Sequence, residues 1–372
     1  MAYDGSTIIR DQNNNPIPQQ WDDENQEWKA YGEMSTKVQQ SESIDVNKRK
    51  PIAFAGEIVE PYPNDYEGVV STLGLPLFHE INNYDKRCAG VAINFEGDFI
   101  IGDENGDLTK YDFYGNELFS DNLTDEIRTA ISDNEGNFYL GLSDGKTYKL
   151  DTNNNLTLIH DFSGVRIFCM NVDLEGNIYI GLFTSDRDNV YKYNSSLDEV
   201  WHTEISGKEI ASITTDLNGN VYVGTRAFSK KIYKLDSNGT EVWDYSIGED
   251  LTGEGANVED LLAIGNRIFG ICGNNIFEID SDSNLIWHEH LVDEYLDKIS
   301  FVNQTLITSG RDTNIYYLDL SGNLLHKLEN IHHSRAIGLG TDNRGLMITA
   351  SNQVYVTYAY LQVSGQRVIN DA

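Results

Sequence analysis

A nine-residue phrase returns along most of this chain and limits what it can fold into. It reads NFEGDFIIG from Asn94, DNEGNFYLG from Asp133, DLEGNIYIG from Asp173 and DLNGNVYVG from Asp216. Weaker copies stand at Leu262 (LAIGNRIFG) and Asp342 (DNRGLMITA), and near Val302 a strand with its closing glycine survives. Seven copies between Gly97 and Gly345 give a period of about 41 residues, in the range of propeller blades rather than ankyrin or leucine-rich units. Each phrase reads as two strands around a tight turn, with Asp or Asn opening the turn and Gly supplying positive φ. A second phrase completes the repeat: KTYKLDTNNNLTLI from Lys146, NVYKYNSSLDEVW from Asn189, KIYKLDSNGTEVW from Lys231, NIFEIDSDSNLIW from Asn275 and NIYYLDLSGNLL from Asn314. Four antiparallel strands per repeat make an all-β fold, a seven-bladed β-propeller.

The last repeat runs out after its third strand, QVYVTYAYL from Gln353. LPLFHEI, Leu75 to Ile81, resembles the other fourth strands and stands just before the first repeat, so an N-terminal strand is expected to close the ring. All six prolines (Pro16, Pro18, Pro51, Pro61, Pro63, Pro76) lie in the first 76 residues, and a proline-free remainder suits a sheet protein. The expected organisation is an extended N-terminal arm over 1–50, a proline-containing linker over 51–72, the propeller over 73–363 and a tail over 364–372. Within the arm, Ser6 to Arg10 and Gln26 to Tyr31 read as short strands separated by turn formers, and Glu33 to Lys50 is polar without a period.

Composition removes several function classes. A formal charge of −32 argues against nucleic acid and anionic membranes, whose recognition rests on clustered cations. No apolar run approaches the roughly 18 residues of a membrane span, and MAYDGSTIIRDQNNN lacks the basic and apolar regions of a signal peptide. Cys88, Cys169 and Cys272 are scattered and read as small core residues. The Asp-x-x-Gly-Asn turns supply too few ligands for calcium and read as side-chain caps on hairpins. His79, His202 and His288 recur at one fourth-strand position, a blade apart and too far to share a metal. His332 and His333 are adjacent and point to opposite faces of an extended segment. No nucleophile elbow, phosphate loop or His-Glu-x-x-His is present. The expectation is a protein without catalysis, cofactor or metal.

YKLDSNGTEVW from Tyr233 resembles the tryptophan-docking repeat of quinoprotein-like propellers, which implies that Trp201, Trp243 and Trp287 wedge between neighbouring blades. STIIRDQNNNPIPQQWDDENQEWKAYGE, Ser6 to Glu33, resembles the opening segment of virion structural proteins from tailed bacteriophages of Gram-positive hosts, of the head-fibre and tail-appendage type. The matching elements are Ile9 to Asp11, the Asn13 to Asn15 turn and Pro16 to Asp22. That resemblance implies a virion protein, made in the host cytoplasm, whose arm docks onto other virion proteins through Ile8, Ile9, Trp21 and Trp28. Two alternatives stand beside it: a propeller enzyme, lyase or hydrolase, acting on host surface glycan, and a cellular assembly scaffold.

The turns on one propeller face are short and Asn/Gly-rich, so variable function is expected on the other. The second-to-third-strand loops and the blade connections on that face concentrate Arg187, Arg226, Lys230, Lys231 and Arg311. These form the candidate ligand face for an anionic host-surface polymer or an acidic neighbouring protein, and the particle setting implies a multimer.

Overall fold

The computed structural model describes residues 19–22, 27–30, 77–81, 86–112, 115–205, 208–226, 230–248, 257–291, 295–302, 304–312, 314–328, 338–341, 346–350 and 354–358. Among them are seven four-stranded antiparallel sheets, one two-stranded hairpin and no helix. Six of the sheets are propeller blades whose cores are described. Blade 1 runs outward from Cys88–Ile93 to Glu117–Asn122, blade 2 from Ile127–Ser132 to Leu156–Asp161, and blade 3 from Ile167–Val172 to Glu199–Thr203. Blade 4 runs from Ile210–Thr215 to Glu241–Ser246, blade 5 from Val258–Ile264 to Leu285–His290, and blade 6 from Leu296–Val302 to Leu324–Leu328.

Where the repeat count gives a seventh blade, the description is of strand pairing without side chains. Gly338–Thr341, Leu346–Ala350 and Val354–Tyr358 form a sheet whose fourth strand is Leu77–Ile81, with Ile81 opposite Val354 and Leu77 opposite Thr357. Successive innermost strands lie side by side, and Gly338–Thr341 lies beside both Leu296–Val302 and Cys88–Ile93. In the arm, Glu27–Ala30 falls within the expected Gln26 to Tyr31 strand. Its partner is Gln19–Asp22, whose Trp21 and Asp22 belong to the turn-forming stretch WDDEN, with Trp21 opposite Trp28. Ser6 to Arg10, Ile8 and Ile9, the Glu33 to Lys50 stretch, Leu75, Pro76, His332 and His333 lie outside the described residues.

Burial follows position in the blade. The second strands Phe99–Asp103, Phe138–Leu142, Ile178–Leu182 and Val221–Thr225 are buried at every residue, because blades pack against both of their faces. The outermost strands Glu117–Asn122, Glu199–Thr203 and Glu241–Ser246 are largely exposed. The glycine that closes each strong phrase has a steric task. A Cβ on Gly102 would stand 2.6 Å from Ile127, on Gly141 2.5 Å from Ile167, on Gly181 2.6 Å from Ile210 and on Gly224 2.5 Å from Val258. Each of those partners is the fully buried first residue of the next blade's innermost strand. The phrase therefore ends where the following blade plugs into it.

The Asp turns are capped as the sequence implies. Asp133 Oδ1 accepts from the backbone N–H of Glu135 and Asn137, and Oδ2 accepts from Asn137 Nδ2 and the Tyr139 hydroxyl at 3.0 Å. Asp173 and Asp216 repeat this arrangement with Tyr179 and Tyr222. Both carboxylate oxygens are committed to the hairpin, which accounts for the Asp, Asn and Tyr of the phrase in one network. Tryptophan docking is present as well. Trp201 Nε1 donates to Ser237 O (2.9 Å) and Trp243 Nε1 to Ser281 O (3.0 Å), each in the next blade's outer turn. Gly239 and Gly322 admit the rings of Trp201 and Trp287, where a Cβ would stand 2.8 Å away. The three cysteines are buried, and desolvation pushes the Cys88 and Cys272 thiols up to about 12.

Adding a methyl group at the blade seam tests this packing. Gly141→Ala is expected to destabilise the propeller by about 1–3 kcal/mol, the usual cost of overpacking a filled core. Gly248→Ala, where nothing lies within 4 Å of the new Cβ, should leave the thermal midpoint in place. Equal midpoints for the two variants would contradict the plug-in seam.

Candidate interaction site at the channel mouth

The innermost strands of blades 1 to 6 each carry one extra residue near their start. The register against the second strand shifts between Cys88 and Gly90, Ile127 and Thr129, Ile167 and Cys169, Ile210 and Ser212, Val258 and Asp260, and Leu296 and Lys298. The bulged residues are Ala89, Arg128, Phe168, Ala211, Glu259 and Asp297. A bulge takes one side chain out of the pleat and re-aims it, so the repeat offers one independent position per blade around the same rim. Just outside five of the six bulges, in blades 1 to 4 and 6, the ladder is tied off by one backbone bond: Glu104 N–H to Arg87 O (3.0 Å), Ser143 to Glu126 (2.9 Å), Phe183 to Arg166 (2.8 Å), Arg226 to Glu209 (3.0 Å) and Arg311 to Tyr295 (2.8 Å). These residues line the face that carries the second-to-third-strand loops.

Blades 2 to 4 turn the rim into a cationic, aromatic arc. Phe168 and Phe183 stack with centroids 5.5 Å apart. Arg128 of blade 2 lies over Phe168 at 4.9 Å, and Arg226 of blade 4 lies over Phe168 at 4.7 Å and Phe183 at 5.6 Å. Arg166 of blade 3 is exposed and lies over Phe183 at 5.6 Å. Glu126 pairs with Arg128 Nη1 at 3.0 Å, with Arg87, and with the Ser143 hydroxyl at 2.8 Å. Burial alone would raise the Glu126 carboxyl, but Arg128, Ser143 and Arg87 together outweigh it and hold it below the usual carboxylate range. Burial lowers the affinity of the Arg128 guanidinium for its proton, and nearby Arg166 and Arg87 add to that while Glu126 opposes it.

Blades 5 and 6 carry the opposite sign at the same positions. Glu259 and Asp297 are the bulged residues, and Arg311, over the Tyr295 ring at 4.8 Å, pairs with Asp297 at 3.3 Å and Glu259 at 3.8 Å. Asp260 faces Lys298 at 3.8 Å and accepts from the Ile299 N–H, while burial pushes its carboxyl up.

The five cations singled out in the sequence do not converge. Arg226 belongs to the aromatic arc, Arg311 to the acidic side, and Lys231 pairs with Asp244 on the outermost strand of blade 4. Lys230 has positive φ (36°) and faces blade 5 near Cys272, and Arg187 sits in the exposed loop beside Asp186. A list of loop cations misses Arg128 and Phe168, which lie within innermost strands, and Arg87, Arg166 and Phe183, which stand immediately before or after a strand. A signal for two of them exists in the repeat alignment, where Arg128 and Phe168 occupy the position that is Ala89 and Ala211 in blades 1 and 4. The recurring fourth-strand histidines lie on the outer edge as expected: His202 is exposed, held by Glu199 at 2.8 Å and Asp188 at 3.4 Å, and His288 is exposed.

No protein-family model and no curated protein matches this chain. Among solved structures it is similar to Raptor of Chaetomium thermophilum, with a TM-score of 0.63 and 14% identity over 76% of this chain. The match spans 29% of the Raptor chain, so at this identity it shows a shared β-propeller fold and no more. In all, 1644 solved chains match, which marks the fold as widespread rather than tied to one activity.

The Glu126 cluster makes stability depend on pH with a defined sign. Its folded-state pKa lies below an unfolded value of about 4.3, so the stabilisation is present above that pH and is lost as pH falls through the folded value. Glu126→Gln should therefore be less stable than the parent chain at neutral pH, and the gap should narrow below about pH 4 in denaturant unfolding. A gap that stays constant from neutral to acid pH would remove the carboxylate from the account.

Proposed function

We propose that this chain is a non-catalytic binding protein, a β-propeller that presents its channel mouth to a macromolecular partner and is tethered through its N-terminal segment. The observation that carries the reading is the ring of bulges. Glycine seams fix blades 1 to 5 against one another, and the bulges of blades 2, 3 and 5 turn Arg128, Phe168 and Glu259, none of them fully buried, toward a surface. Rigid scaffolds with variable positions at one end are the usual way a fold serves recognition. At a finer level we read it as a virion protein of a tailed phage of a Gram-positive host, on the tail, baseplate or head surface. The support for that level is the opening segment, Ser6 to Glu33. The hairpin that pairs Trp21 with Trp28 suits an attachment element, since aromatic side chains dominate binding when a short segment folds onto a surface.

Replacing both Trp21 and Trp28 with Ala is expected to cost about 2–4 kcal/mol of attachment, by the usual magnitude of aromatic anchors. Incorporation of the full-length double variant into particles in a complementation assay should fall accordingly, with the melting transition unchanged. Undiminished incorporation would sink the anchoring role.

We further propose a closed ring of seven blades in which Leu77–Ile81 fastens the first blade to the last and joins the arm to the propeller. Deleting residues 1–50 should then leave the melting transition nearly unchanged, whereas deleting residues 1–81 should lower it sharply, since the last sheet loses its outer strand. Equal effects of the two truncations would contradict that closure.

A further inference from the structure

We propose that the arc formed by Arg128, Arg166, Arg226, Phe168 and Phe183 binds a short acidic peptide segment of a partner protein, one that places an aromatic or aliphatic side chain between carboxylates. The proposal rests on the reading of the channel mouth as a binding surface and names what it binds.

Three guanidinium groups from three consecutive blades converge on two stacked rings. A guanidinium over an aromatic face uses its π surface there and keeps its N–H edge for a carboxylate, which it meets bidentately. Arg166 is exposed and pairs with no carboxylate among the described residues. Arg128 Nε is buried without a partner, although its Nη1 is paired with Glu126. Glu126 is shared by Arg128 and Arg87, and Arg87 also reaches Glu104 at 3.9 Å, so the positive charge of the arc that no described carboxylate meets is that of Arg166. Such a concentration is held against mutual repulsion in a chain whose formal charge is −32. An incoming carboxylate relieves it.

Two features select a peptide over a polyanion. Phe168 and Phe183 are half-buried at the centre of the arc, offering apolar contact that a polyphosphate chain does not use and a peptide side chain does. The arc is also short: Glu259 and Asp297 occupy the equivalent rim positions in blades 5 and 6. A long polyanion that extends past the arc meets that acidic side and the negative remainder of the surface. A segment with two or three carboxylates stays within about one Debye length of the guanidiniums, roughly 8 Å at physiological salt.

The full-length protein tests this by fluorescence anisotropy with three labelled probes: a short peptide of alternating Glu and Phe, a poly-glutamate of equal length, and a polyphosphate of equal charge. The Glu/Phe peptide is expected to bind saturably, more tightly than the other two, and to weaken with salt. Arg166→Glu should weaken it by roughly tenfold or more, as for the loss of a charge-assisted hydrogen bond. Phe168→Leu should reduce the preference over poly-glutamate. Lys231→Gln, which alters a cation already paired with Asp244 at the outer edge, should change nothing. Arg166 is exposed, and an unchanged melting transition shows that its variant folds. Absence of binding by the peptide, tightest binding by polyphosphate, or peptide binding indifferent to Arg166→Glu would each overturn the assignment. Particle incorporation of the Trp21/Trp28 double variant is read separately. If it falls while the peptide fails to bind, the ligand assignment alone is lost; if the peptide binds while incorporation is undiminished, the anchoring reading is lost.

Discussion

Blades 1 to 5 depend on one steric fit: the side chain that opens an innermost strand enters the space left by a glycine of the preceding blade. Ile127, Ile167, Ile210 and Val258 occupy positions that any Cβ on Gly102, Gly141, Gly181 or Gly224 would claim. Because the insertion is apolar and fully buried, it draws successive blades together without specifying direction. Direction comes from polar ties across the same seams: the Ser132 hydroxyl to Ile93 O at 2.8 Å, the Thr215 hydroxyl to Asn171 Oδ1 at 2.9 Å, and the Ala263 N–H to the Thr214 hydroxyl at 3.1 Å. Further out, Trp201 and Trp243 repeat the pattern with a ring against the next blade's turn and an indole N–H on its carbonyl. Apolar contact sets the spacing, and hydrogen bonds set the register.

That fit also makes the mouth usable for recognition. The inserted residue is followed at once by the bulge, so in blades 2 and 3 a rigidly held backbone presents a partly exposed side chain, Arg128 and Phe168. Ala89 and Ala211 show that the position needs no particular residue for folding. Where it is Arg128 and Phe168, neighbouring strand ends add Arg166, Phe183 and Arg226 to build an arc that spans three blades. Where it is Glu259 and Asp297, the acid is neutralised in part by Arg311. The rim thus carries two electrostatic sides on one symmetric frame, which favours a partner with matching polarity and a fixed orientation.

The phrase Asp-x-x-Gly-Asn-x-Tyr was legible in the sequence as a capped hairpin because every bond it makes is local, within six residues of its own Asp. Tryptophan docking was expected from the resemblance of YKLDSNGTEVW to the repeat of quinoprotein-like propellers, and Trp201 does dock on the Asp236 to Thr240 turn of the next blade. The candidate site was not legible in that way. Arg128, Arg166 and Arg226 are far apart in sequence and share no motif; a search of loops for charge finds Arg226 but passes over Arg128 inside its strand and Arg166 immediately before one. Lys231 shows the converse, since it stands among the loop cations but pairs across the sheet with Asp244. The strand Gln19–Asp22 was missed because its composition is that of a turn, while its pairing with Glu27–Ala30 is set by the partner strand.

The sequence by itself determined the all-β repeat, its period, the capped turns, the buried cysteines and the place of Leu77–Ile81 as an outer strand, because these follow from local hydrogen bonding and from apolar residues recurring at fixed intervals. Tertiary structure alone decided which charges meet. Side chains of successive blades come together by rotation about the ring, and a bulge of one residue changes which of them faces the mouth. Neither the rotation nor the bulge leaves a periodic trace in composition, so the arc of Arg128, Phe168, Arg166, Phe183 and Arg226 exists only once the blades are assembled.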